Sequence, residues 1–206
     1  MTALPKALPL FPLRSVLFPG GLLSLRIFET RYLDMVTSCL REERAFGVVC
    51  LNQGHEVKRA RDAAALRFEP IGTLAHVVDV DADTPGLLHI RCSGGARFEC
   101  TATHMASDGL WWADAAQFLD DDALLLPGTE GQPAADALGR ALTALDVRQP
   151  GLMPEERQLD SAGWVANRWC ELLPIPLAAR QQLMALQDPL QRLHLVCEYL
   201  REKQLI

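Results

Sequence analysis

Apolar and polar positions along this chain follow two periods, and the change from one to the other divides it. Up to about residue 118 the apolar residues come in short runs punctuated by Pro, Gly, Asp and Asn; beyond Pro133 they recur every three or four positions. The first pattern predicts strands and the second helices. Leu8, Leu10 and Leu13 alternate with Pro9 and Pro12, and since proline donates no N–H, this run is expected to be an edge strand. Phe18-Pro19-Gly20-Gly21 supplies a turn into a second apolar strand, Leu22 to Ile27. The period then changes once within the β region. Tyr32, Leu33, Val36 and Leu40 share one helix face, with Glu29 or Thr30 placed to cap it.

Phe46 to Leu51 is a short, β-branched run expected to be a well-buried strand. Glu69 to Val80 extends as another, in which Gly72 marks either a bulge or a close backbone approach. Asp81 to Gly86 is a dense turn signal before Leu87 to Cys92, which predicts a hairpin. Ser93-Gly94-Gly95 reads as a second turn, leading into Ala96 to Thr101, and Asp108-Gly109 as a third, leading into Leu110 to Asp114. About seven strands result, the content of a small barrel or sandwich. Acid, Pro and Gly between Asp120 and Pro133 predict a connection. The expected organisation is therefore a β-rich domain over residues 1–119, a connection over 120–133 and a helical domain over 134–206. In the helical part, Ala137, Leu138, Ala141, Leu142 and Leu145 share a face, Asp160 is placed to cap a helix carrying Trp164 and Trp169, Pro176 to start a short one, and Asp188 to cap the last.

Composition narrows the function classes. The chain has 206 residues, is 49% hydrophobic, and carries a net charge of −6. No apolar run approaches the roughly 20 residues of a spanning helix, and Met1 to Lys6 holds Pro5 where a secretory signal has a continuous apolar run, so a cytoplasmic protein is expected. The six cysteines form no C-x-x-C pair and no group with histidine at ligand spacing, which reads as buried free thiols, with no metal. No G-x-S-x-G, H-E-x-x-H, G-x-G-x-x-G or G-x-x-x-x-G-K-[ST] is present, and no cofactor or catalytic residue is assigned; the expectation is a protein that is not an enzyme. Nucleic acid is disfavoured as a partner, because Lys58, Arg59 and Arg61 are the one tight basic cluster in an acidic chain.

Ordered motifs carry a resemblance. L-P-L-F-P-L (Leu8 to Leu13), L-F-P-G (Leu17 to Gly20) and F-E-x-R-Y-x-x-M (Phe28 to Met35) resemble the opening of the Lon protease N-terminal, substrate-binding domain. Ile71 to Ala75 fits its V-G-T-x-A segment, Gly94-x-x-Arg97-Phe98 its G-x-x-R-F, and Leu172-Leu173-Pro174, Gln182-Leu183-Met184 and Arg192-Leu193 its end. The resemblance implies an α+β fold: a mainly antiparallel, PUA-like β pseudo-barrel with one inserted helix, then a helical bundle. It also implies a module that binds protein or peptide, such as unfolded clients or a separate protease or ATPase. The alternatives are an RNA-binding PUA-like barrel and a small-molecule-binding barrel. The candidate binding residues are Trp111 and Trp112: neighbours in a strand point to opposite faces, so both cannot fill one core.

Overall fold

The computed structural model describes residues 7–53, 67–117 and 128–206. They form six strands and five helices: β1 (Leu8–Leu13), β2 (Leu22–Ile27), α1 (Thr30–Arg41), β3 (Phe46–Gln53), β4 (Arg67–Thr84), β5 (Leu87–Met105), β6 (Trp111–Gln117), α2 (Gly128–Arg148), α3 (Ala162–Leu172), α4 (Leu177–Ala185) and α5 (Pro189–Glu202). Two compact units result. The β unit holds the described residues up to Leu17 and from Leu22 through β6; the helical unit holds α2 to α5 together with Phe18–Gly21, the turn between β1 and β2.

In the β unit the strands run β2-β5-β4-β3-β1-β6, and β6 also pairs with β5. Five strands thereby close a ring, and β2 stands outside it on β5. Only β1–β3 is parallel, with Leu10 opposite Gly47 and Leu13 opposite Cys50. β5 is long enough to take two partners along one edge: β2 along Leu88–Ser93 and β6 along Phe98–Met105.

Two sequence expectations fail here. Ser93-Gly94-Gly95 is no turn, because β5 runs unbroken from Leu87 to Met105 and the two glycines lie at a register shift against Thr73 and Ala75. A Cβ on Gly95 would lie 2.7 Å from His76 Nε2, so the glycine serves a bulge. Joining the two expected strands on either side of it reduces seven to six. Nor is β1 an edge: it lies between β3 and β6 with all six residues buried. Its partners are staggered, so that Pro9 faces only β6 and Pro12 only β3. A proline costs a ladder bond only where its nitrogen faces a paired neighbour, and each of these has a neighbour on one side alone.

Helix α1 buries Tyr32, Met35, Val36 and Cys39, while Leu40 is 41% exposed. Cys39 stands two turns after Tyr32 and completes the stripe that the sequence assigned to Leu40. This face closes over Phe11, Leu13, Ile27, Phe46, Val48, Ile90 and Cys92, which form the larger core. A second core, inside the ring, is made by Leu8, Leu10, Val49, Leu74, Phe98 and Ala113.

In the helical unit α3 packs against α5, α2 and α4. Helix α2 starts at Gly128 and carries Pro133 inside it, so the expected connection is helical from 128 on; one lost backbone bond near a helix start is tolerated within 21 residues. Leu124-Leu125-Leu126 lies outside the described residues. Ser161, and not Asp160, caps α3, its Oγ accepting from the Trp164 N–H at 3.3 Å. Asp188 caps α5 as the sequence indicates, accepting from Leu190 and Gln191.

Candidate functional site

The motif Phe18-Pro19-Gly20-Gly21 is a turn held by side chains of α3. Arg168 of α3, fully buried, donates to the carbonyls of Pro19 (3.0 Å) and Gly20. Its Nε and Nη2 also lie 2.9 and 3.0 Å from the two oxygens of Glu171. A Cβ on Gly21 would collide with Glu171, and Gly20 holds a φ of +70°, so both glycines are required by this clamp. Burial pushes the Glu171 carboxyl up to about 7, outweighing the attraction of Arg168 and Arg180. Beside it, Arg192 of α5 donates to Leu183 O (2.9 Å), Leu186 O and Asn167 Oδ1 (3.0 Å), closing the end of α4. Pro19, Gly20, Ser161, Trp164, Asn167 and Arg192 border a cleft of about 470 Å³. Arg192, at its border, is committed to two carbonyls and the Asn167 amide, and Arg168 to two carbonyls and Glu171, so these two cations shape the turn and the end of α4.

The motifs of the β unit are also spent on packing. Gly72 lies opposite Phe98, and a Cβ on it would meet the Phe98 ring at 2.7 Å and the Val48 carbonyl more closely still. A Cβ on Gly47 would reach the same ring at 2.6 Å and Leu10 at 2.8 Å. The close-approach alternative for Gly72 therefore holds, and the β3–β4 register also shifts directly beyond its pairing with Val49. Thr73 donates to Leu17 O at 2.6 Å. Arg31 donates to Gly109 O at 2.7 Å, pairs with Glu29 at 2.9 Å and stacks over Tyr32, so the F-E-x-R-Y segment fixes the entry of α1 and the β5–β6 turn.

Trp111 and Trp112 point to opposite sides and each finds a core within the β unit. Trp111 packs on the inner cluster, edge-on to Phe68 at 5.4 Å between centroids. Trp112 packs on the larger cluster, with the Arg44 guanidinium 5.8 Å from its ring. Both remain half-buried. All six thiols are free. Burial pushes Cys50 and Cys100 up to about 11 and Cys92 and Cys170 to about 12, so these four are protonated and unreactive at neutral pH. No group of metal-ligating side chains occurs among the described residues. Lys58, Arg59 and Arg61 lie outside them.

What the sequence did not reveal is an open edge. Beyond the ring, β4 from Val77, the first half of β5 and β2 form a three-stranded extension with two outer margins. Among the described residues, β2 pairs with β5 alone. On its outer face Ser24, Arg26, Asp79, Asp81, His89 and Arg91 border a shallow depression of about 530 Å³. Leu23 and Leu25 pack on the larger core and remain partly exposed, and Phe28, just past the strand, is 55% exposed. The sequence signal for an edge was proline, which misled; the useful one was the absence of any proline, acid or lysine in Leu-Leu-Ser-Leu-Arg-Ile.

Comparison with known proteins places these observations. The profile of the family described as "ATP-dependent protease La (LON) substrate-binding domain" matches residues 7–202. Curated relatives include "Lon protease" of Anaeromyxobacter dehalogenans (strain 2CP-C) and "Lon protease 2" of Myxococcus xanthus, each 24% identical over 98% of this chain. The chain spans about a quarter of their length, 24% of each. Among solved structures, the Lon N-terminal domain protein from Xanthomonas campestris is 31% identical, with a TM-score of 0.73 over 94% of this chain and 98% of that one. The N-terminal domain of Mycobacterium avium complex Lon protease shares the fold at 15% identity, with a TM-score of 0.63 over 96% of this chain and 99% of that one.

Proposed function

We propose, on the premise that the chain belongs to the ATP-dependent protease La (LON) substrate-binding domain family, that its β unit binds polypeptide and performs no covalent chemistry. Membership across residues 7–202 carries this reading. One feature supports it: Cys50, Cys92 and Cys100, the β-unit thiols that burial pushes up to about 11 or 12, are not nucleophiles at neutral pH. In this reading the 206 residues supply recognition. Trp111 and Trp112, each with part of a ring left outside its core, are the aromatic candidates for contact.

Titration with a fluorescently labelled, reduced and carboxymethylated α-lactalbumin tests the reading. Saturable binding in the micromolar range is expected, with no binding of the native, disulfide-intact form. Failure to bind the unfolded form at about 100 μM would overturn it. A single-stranded RNA probe bound more tightly than the unfolded protein, with affinity persisting at physiological salt, would favour the PUA-like RNA-binding alternative instead.

A further inference from the structure

The two outer margins of the three-stranded extension are treated in opposite ways. Along β4 the chain reads Asp79, Asp81, Asp83 at alternate positions, and the strand shifts register between Val77 and Asp79 and again between Asp81 and Thr84. The carboxylates also occupy local backbone donors: Asp79 Oδ1 accepts the Val80 N–H and Asp81 Oδ1 the Asp83 N–H, each at 3.0 Å. Charge, bulges and side-chain capping are the devices by which a strand margin is closed to further pairing. β2 has no bulge and no capping carboxylate, and its one charge is the exposed Arg26. Its register with β5 is regular through all six residues, from Leu22 opposite Ser93 to Ile27 opposite Leu88. It carries no acid and no proline, and its inner-facing leucines leave apolar surface at the margin.

A strand with one margin paired presents alternate backbone N–H and C=O groups along the other, about 3.3 Å of rise per residue. Those groups fit another extended backbone and match neither a helix nor a folded apolar face. From the contrast between the guarded β4 and the unguarded β2, we infer that β2 accepts an extended, apolar segment of an unfolded polypeptide as an added strand. This rests on the polypeptide-binding reading above and names its site and mode. Backbone pairing makes the site tolerant of sequence, and Leu23, Leu25 and Phe28 favour apolar residues at alternate positions of the added strand. The three aspartates opposite direct the added strand to one margin only.

Hydrogen exchange of the full chain, with and without reduced, carboxymethylated α-lactalbumin, tests this directly. Exchange at Leu22–Ile27 is expected to slow at least about tenfold with the client, while Val77–Thr84 stays unchanged. The paired variant transplants the guard: Ser24→Asp with Arg26→Asp alters two exposed side chains and no core residue. It is expected to melt close to the parent and to bind the client about tenfold more weakly. If the parent binds the client and neither β2 exchange nor the double variant's affinity changes, the strand-addition site is wrong and the binding reading survives. If the parent binds no client, both fall. If β2 becomes protected as protein concentration rises without client, the occupant is a second copy, and the inference is overturned. Should the double variant misfold, the exchange result on the parent decides alone.

Discussion

The β unit and the helical unit hold their motif residues in place by different physics. In the β unit the shape comes from the absence of side chains: Gly47 and Gly72 leave room for one Phe98 ring, and apolar contact surrounds it. In the helical unit it comes from buried cations, with Arg168 and Arg192 each serving three acceptor groups. The difference teaches where each unit is brittle. A packed ring tolerates loss better than crowding by backbone, whereas a buried guanidinium tolerates neither the loss of its partners nor its own.

The largest effect should follow from Arg168→Ala, which strands Glu171 and two carbonyls. A cost of about 3–5 kcal/mol is expected, read by urea unfolding followed through Trp164 and Trp169. Replacing both members, Arg168→Met with Glu171→Met, should recover a large part of it; a single-variant cost under about 1 kcal/mol would show that the clamp is not what holds the turn.

The two glycines in the β unit separate crowding by side chain from crowding by backbone. Gly47→Ala meets only side-chain ends, so Phe98→Leu in the same chain should relieve much of a cost of about 1–3 kcal/mol. Gly72→Ala also meets the Val48 carbonyl, and the same second change should leave its cost largely in place. Equal rescue at both positions, measured by thermal melts of the four variants, would refute this distinction.

Acidity acts on the helical unit through Glu171. Its folded pKa, about 7, lies above the ordinary carboxylate value of 4.5, so the folded state holds more protons between the two. Stability from this group is full below about pH 4.5 and declines as pH rises to about 7, by an amount of order 1–3 kcal/mol. Urea midpoints across that window should fall with pH in the parent, and Glu171→Gln should flatten the slope. A midpoint that is flat through this window and instead falls as the pH drops below about 4.5, with that fall absent in Glu171→Gln, would mean that Arg168 outweighs burial.

The smallest stability change should come from removing the guard on β4. Asp79, Asp81 and Asp83 are exposed, and replacing all three by Ser should move stability by about 0.5 kcal/mol. Self-association should nevertheless increase, as seen by analytical ultracentrifugation. An unchanged monomer would weaken the contrast drawn with β2.

Local pattern determined much of this protein. The strand periods, the one inserted helix, the Asp108-Gly109 hairpin, the Asp188 cap and the family motifs are written in nearest neighbours, because turns, caps and amphipathic faces depend on residues within a few positions. The order of strands is not local. Proline in β1 argued for an edge, yet pairing at Leu8–Leu10 on one side and Leu10–Leu13 on the other buries that strand in the ring. Gly94-Gly95 reads as a turn wherever the partner strand is unknown, and becomes a bulge only when β4 lies alongside. Trp111 and Trp112 were correctly sent to opposite faces by the period of a strand, but that period cannot say that a core waits on each side. That β2 has one neighbour among the described residues follows from β5 being shared between β2 and β6, a long-range pairing that only tertiary structure decides.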